Sequence, residues 1–227
     1  MDEKNPKIKI GEALALHTLK YPYRKFLDSL AEKLRWVHPD IISFAAFFVC
    51  LLIGFLYYHA DAAPIFLIVN ILLIILRMTL NTLDGLIALK IGRTSLVGEM
   101  VNALPDRYAD LFILIGISFS TLCDVKIGMI ASLTVLMVSY SGMLGKAIGV
   151  SWQHQGPLDK VDRLFFFMLA SLVQFILAVT GHPRIILFGM NTTALEICML
   201  LFIVLGQLTV IYRVRGMLQE IKKIEFR

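Results

Sequence analysis

The sequence predicts an all-α integral membrane protein: six transmembrane helices preceded by an N-terminal amphipathic interfacial helix. Three observations carry that expectation. Hydrophobic residues make up 58% of the 227 positions and charged residues only 17%, against about a quarter charged in soluble proteins. Six apolar stretches, at about 40–60, 63–89, 98–122, 126–150, 161–180 and 193–213, each reach the ~20 residues that a spanning helix needs. Lysine and arginine, finally, crowd into alternate connections between those stretches.

The first element is a basic leader, residues 1–38. Lys4, Lys7, Lys9, Lys20, Arg24, Lys25, Lys33 and Arg35 spread through it, unlike the short charged start and compact apolar core of a cleavable signal peptide. Leu16, Leu19, Phe26, Leu30 and Leu34 recur at helical spacing, so about residues 11–36 read as an amphipathic helix on the cytoplasmic leaflet, its bases against anionic lipid. A membrane domain over residues 39–215 and a basic cytoplasmic tail over 216–227 follow. One side of the bilayer receives the leader, Lys90, Arg93, Lys146, Lys160, Arg163 and the C-terminal bases; the other receives Lys126 and Arg184. Both termini are therefore expected in the cytoplasm. The formal charge of +5 reports topology, and no basic stripe with interleaved aromatics points to nucleic acid. Cys50, Cys123 and Cys198 lack metal-ligand spacing and read as buried small hydrophobes.

Ionisable residues inside spans are costly, so they mark function. Near the end of the second span Arg77, Asn81, Asp84 and Ala88 stand three or four residues apart and share a helix face. At the start of the third, Gly98, Asn102, Asp106 and Asp110 are spaced by four and form a second polar stripe. The short connection at about 91–97 makes these spans antiparallel, so the stripes are expected to face one another near the cytoplasmic interface. Oxygen donors from two rigid helices suit Mg²⁺ or Mn²⁺. Arg77 lies one turn deeper than Asn81 and is expected to pair with an acid or phosphate of the site. Gly85 and Gly98 allow either close helix packing or a nucleotide against the backbone; beside the acids, the second reading is preferred. Asn70, Gln174 and Gln207 read as interhelical hydrogen-bond formers, and Trp36 and Trp152 as interfacial anchors.

These two stripes resemble the signature of the CDP-alcohol phosphotransferases, D-x2-D-G-x2-A-R-x8-G-x3-D-x3-D. Asp84-Gly85, Ala88, Gly98 and Asp106 match it; Asn81 and Asn102 stand at the first and third aspartates, and Leu89 replaces the arginine. His38-Pro39-Asp40-Ile41-Ile42-Ser43 resembles the Pro-Asn-x-x-Thr/Ser start of the family's first span. The resemblance implies transfer of a substituted phosphate from a CDP-linked donor, CDP-diacylglycerol in the first instance, to an acceptor alcohol with release of CMP. It implies two Mg²⁺ or Mn²⁺ ions on Asn81, Asp84, Asn102 and Asp106, and Arg77, Asn81, Asp84, Gly85, Ala88 and Gly98 around the CDP diphosphate. Asp106 would be ligand or base, and Asp110, one turn further on, with Glu99, would restore lost negative charge. Lys90 or Arg93 would stand in for the missing arginine. Gly156-Pro157 to Arg163 resembles a Gly-Pro-x5-Arg segment of the family; Lys160 and Arg163, with Lys146, would hold a phosphorylated or anionic acceptor. A homodimer in a lipid membrane is implied too. The rival expectation is a degenerate homologue that binds lipid, nucleotide or a partner without turnover. A transporter fits less well, because the acids cluster near one surface and no repeat is visible.

Overall fold

A computed structural model describes residues 20–92, 96–187 and 189–225, and their side chains except at 20–26, 96–103, 187 and 190. Seven helices fill these residues: α1 (Lys20–Lys33), α2 (Pro39–Tyr58), α3 (Ile65–Lys90), α4 (Leu96–Ser118), α5 (Val125–Ala147), α6 (Lys160–Val179) and α7 (Ala194–Glu225). A two-stranded antiparallel hairpin, β1 (Ile185–Leu187) and β2 (Met190–Thr192), stands between α6 and α7. The all-α expectation did not include this hairpin, whose strands are only three residues long.

Five helices, α2, α3, α5, α6 and α7, are long and apolar enough to cross a bilayer. α4 has the length, at 23 residues, but carries Asp106, Arg107 and Asp110 around its middle. The charges that make α4 interesting are the ones that lower its apolarity. Local chemistry sets the helix starts. Pro39 opens α2 behind His38, whose Nδ1 accepts from the Asp40 amide, and Asp124 caps α5 by accepting from Lys126 and Ile127 amides. At α6 the Asp162 carboxylate accepts from the Asp159 amide at 3.0 Å.

α2 is the central element, packed against both α3 and α4. Two glycines make the second contact possible: a Cβ on Gly54 would collide with the Phe112 carbonyl, and one on Gly116 with the Gly54 carbonyl. Around them Cys50, Ile53, Tyr57, Ile113 and Ile117 join the main buried cluster, which continues into Val135, Phe167 and Phe202. Large apolar side chains such as Phe44, Phe48, Phe55, Leu72 and Leu133 point outward, as lipid-facing residues do.

The leader expectation is refined for the described part of α1; residues 1–19, with Lys4, Lys7, Lys9, Leu16 and Leu19, lie outside the described residues, as does Arg93. Leu27 and Ala31 are buried against Ile42, Leu83, Leu86 and Ile87. At least these two therefore dock on protein, while Leu30 and Trp36 face outward. Lys90 ties the helix down, reaching Asp28 at 3.1 Å and Glu32 at 2.9 Å. That hydrogen bond holds the Glu32 carboxyl below its ordinary value of 4.5. Lys90 is thus turned to the leader, which argues against its standing in for the motif arginine. At the other end of the chain α7 continues without a break through the expected tail. Gly216 and Met217 are buried, and Glu220 accepts from both the amide and the hydroxyl of Ser151.

Candidate active site

Of the two polar stripes, Arg77 and Asn81 of α3 meet Asp110 and Asp106 of α4 through their side chains across a cleft. Arg77, only 1% exposed, donates from Nη2 to Asp110 Oδ1 at 2.7 Å. This is the acidic partner expected for it: a guanidinium one turn inside a span must find a counter-charge. From the opposite side Arg163 Nη2 donates to Asp110 Oδ2 at 2.6 Å. Both oxygens of Asp110 are therefore taken, and its negative charge is matched by two guanidinium groups instead of adding to the acids nearer the surface.

One turn outward, Lys160 Nζ lies 2.5 Å from Asp106 Oδ2. Asn81 stands beside this pair. With its amide turned as its neighbours require, its nitrogen donates to Asp106 Oδ1 at 3.1 Å and its oxygen accepts from Lys160 at 2.5 Å. Asp84 faces the α2 side, where it accepts from the Ser43 hydroxyl at 2.6 Å and from the Gly85 amide at 2.6 Å. Ser43, Ala46, Phe47, Arg77, Asn81, Pro105, Asp106 and Ala109 line a narrow, partly open cleft. Pro105, which has no amide hydrogen, interrupts the hydrogen-bond ladder of α4 one residue before Asp106. Arg77 Nη1 is buried beside this cleft without a hydrogen-bond partner among the described residues. A buried guanidinium nitrogen left unsatisfied is an available anion donor.

The loop before α6 delivers Lys160 and Arg163. Gly156 has φ +119°, and a Cβ there would sit 2.8 Å from Thr209 Cα, so glycine lets the loop lie directly on α7. The Thr209 hydroxyl then accepts from the Leu158 amide at 3.0 Å. Arg213 of α7 anchors the same loop, donating to the carbonyls of Val138 and Gln155 and reaching Asp159 at 3.4 Å. Arg213 was read from sequence only as a topological base; nothing in its local spacing announces the loop it binds.

Lys146 stands over the Trp152 ring at 5.9 Å from its centroid, and Trp152 stacks on His154. Ala88 follows Asp84 by one turn on α3 and is half-buried. A Cβ on Gly85 would meet nothing within 4 Å among the described residues, so none of these requires glycine there for packing. Gly98, Glu99 and Asn102 belong to α4, but their side chains lie outside the described ones. Of the expected hydrogen-bond formers, Gln174 bridges Pro183 and Ala194, Gln207 is exposed, and the buried amide of Asn70 has no partner among the described residues. Ser43 of α2 was noticed only as part of the first span's opening, and its hydrogen bond to Asp84 adds it to the site.

Oxygen donors suit Mg²⁺ or Mn²⁺. The described residues offer Asp84 and Asp106 carboxylates with the Asn81 amide oxygen, and no grouping of three or more His, Cys, Asp or Glu side chains is found among them. Those donors are of the chemical type that a hard divalent ion takes.

Fold and site together define a helical membrane protein whose acids and bases converge at one end of its bundle. No protein-family model matches the chain. It is 28% identical over 148 residues to inner membrane protein YnbA of Escherichia coli (strain K12), covering 65% of this chain and 71% of that protein. It is 24% identical over 213 residues to archaetidylinositol phosphate synthase of Methanothermobacter thermautotrophicus, covering 94% of this chain and 98% of that one. The Pyrococcus horikoshii archaetidylinositol phosphate synthase is 25% identical over 154 residues, 68% of this chain and 78% of its own length. Among solved structures, Mycobacterium tuberculosis phosphatidylinositol phosphate synthase (PgsA1) with CDP-DAG bound superposes with a TM-score of 0.66. The identity is 18%, over 85% of this chain and 94% of that one. The complex of PgsA1 with manganese and citrate gives a TM-score of 0.65 at 18% identity, over 84% and 88% of the chains. The chain shares this fold.

Proposed function

We propose that this chain is a CDP-alcohol phosphotransferase that moves a phosphatidyl-type group from CDP-diacylglycerol, or a closely related CDP-linked lipid, to an acceptor alcohol. The observation that carries the reading is the convergence of Asp106, Asn81 and the half-satisfied Arg77 on one cleft, with Asp84 buried just behind it on the hydrogen bond to Ser43. The PgsA1 likeness and the archaetidylinositol phosphate synthases support it.

In this reading Asp84, Asp106 and the Asn81 oxygen hold Mg²⁺ or Mn²⁺, Asn102 adding its amide. Such an ion, when bound, neutralises the diphosphate and stabilises the leaving CMP. Arg77 Nη1 donates to a diphosphate oxygen, and the open space at Gly85, between Asp84 and Ala88, admits the nucleotide, with Gly98 opposite. The acceptor oxygen bonds to the β-phosphorus, its proton passes to an Asp106 oxygen, and the bond to CMP breaks with the electron pair leaving on CMP. Asp110 is a positioning residue that holds Arg77 and Arg163 in place. A phosphorylated alcohol is the favoured acceptor, because the relatives' names denote products bearing an inositol phosphate. Six spans with both termini and the cleft in the cytoplasm, and a homodimer, complete the proposal.

The Lys160–Asp106 ion pair favours one other reading, a homologue that binds lipid or nucleotide without turnover. Kinetics of Asp106→Ala decide between them. A base or ligand contributes about 10²–10⁴-fold, so turnover within a few-fold of the parent would remove Asp106 from its assigned role.

A further inference from the structure

The charge balance of the cleft is unusual for a site that gathers divalent ions. Among the described residues the linked cluster holds three carboxylates, Asp84, Asp106 and Asp110, against Arg77, Arg107, Lys160 and Arg163. Asp110 is matched by two guanidinium groups, which leaves Asp106 on the cleft wall and Asp84 buried beside it against Ser43. Lys160 is already in contact with one of these. Its Nζ bridges Asp106 Oδ2 and the Asn81 amide oxygen, each at 2.5 Å. An ammonium between a carboxylate and an amide oxygen occupies the kind of oxygen-donor position that a hard cation takes. Its side chain is 21% exposed and that of Asp106 15%, so water screens the pair poorly. An aspartate at position 81 would leave this local trio one unit negative; asparagine makes it neutral with Lys160 present.

We propose that Lys160 is a built-in counter-cation in place of a second divalent ion, so that the site binds a single Mg²⁺ or Mn²⁺ with Asp84 as its main carboxylate. The Lys160 ammonium supplies the second positive charge to the donor's diphosphate. Asn81 and Lys160 are then paired features of one design. This inference rests on the phosphotransferase reading and narrows it from two ions to one.

Mn²⁺ titration of the full-length protein in detergent, followed by electron paramagnetic resonance, tests it independently of turnover. The parent protein is expected to bind one Mn²⁺ per chain. Removing a competing positive charge a few ångströms away in Lys160→Met is expected to tighten Mn²⁺ binding about tenfold or more. Asn81→Asp, nearly isosteric and chosen in case Lys160→Met misfolds, is expected to tighten it in the same direction, with cooperative thermal unfolding confirming the fold of each variant. Two ions on the parent, or affinities unchanged within about twofold in both folded variants, would overturn the assignment. CMP release measured on the same samples separates the two claims. Turnover with two ions sinks the Lys160 role alone, and one ion without turnover for any acceptor sinks the phosphotransferase reading alone.

Discussion

Neutralising Asp110 gives the clearest energetic test of how the site is held together. Asp110→Asn keeps the shape and removes the charge that two guanidinium groups share at 2.7 and 2.6 Å. The side chains involved are 1% (Arg77), 4% (Arg163) and 9% (Asp110) exposed, so neither cation recovers hydration when its partner is lost. Removing one partner of a buried pair costs about 3–5 kcal/mol. For a domain of this size each kcal/mol moves the midpoint by about 2–4 °C, so the Tm should fall by about 6–20 °C. The assay is thermal unfolding in detergent, read by the fluorescence of the two tryptophans. The triple change Arg77→Met, Asp110→Leu and Arg163→Met should regain most of the loss, because buried ion networks are replaced by apolar residues at little cost. It should not regain turnover. A folded Asp110→Asn protein melting within about 2 °C of the parent would refute the clamp.

Three further outcomes follow from the geometry. Gly116→Ala should destabilise the bundle by about 1–3 kcal/mol, because its new methyl meets the Gly54 backbone; Gly85→Ala should leave Tm nearly unchanged, and a melting comparison separates the two. Ser43→Ala removes the hydrogen bond to Asp84, and the loss of about 1.5–3 kcal/mol expected for a bond to a charged group should appear as a lower kcat/KM for CMP release. Docking of α1 depends more on Leu27 than on its ion pairs. Leu27→Ala should raise hydrogen exchange in α1 strongly and Lys90→Ala only slightly, since exposed pairs contribute little. The pH dependence of that small term has a definite sign. The Glu32 carboxyl is held below 4.5 when folded, so its contribution is complete above 4.5 and is lost as the pH falls through the lower folded value.

The spans were legible because a bilayer imposes both length and apolarity. The second stretch, read as 63–89, is the helix Ile65–Lys90, and the fifth, 161–180, is Lys160–Val179. Arg77 was legible for the same reason, since a charge at that depth implies a partner. What spacing could not reveal was which helix stands between which. The contact of α2 with α4 through Gly54 and Gly116 joins residues 62 positions apart, and it brings α2 beside the cleft where Ser43 meets Asp84. Lys160 and Arg163 carried the expected charge, but their partners, Asp106 and Asp110, lie 54 and 53 positions away. The apolar pattern of the leader was read as a face for lipid, since spacing does not distinguish lipid from protein; Leu27 and Ala31 meet protein. The unbroken course of α7 to Glu225 was hidden because its last turns are basic, and a hydropathy reading ends where apolarity does.

The central claim is tested most directly by release of CMP from CDP-diacylglycerol by the purified protein in detergent, with Mn²⁺ or Mg²⁺ and a panel of acceptor alcohols that includes inositol phosphate and glycerol phosphate. The account predicts release that depends on one acceptor, stops with chelator and is lost in Asp84→Ala. Folded protein that binds CDP-diacylglycerol yet releases no CMP with any acceptor would contradict it.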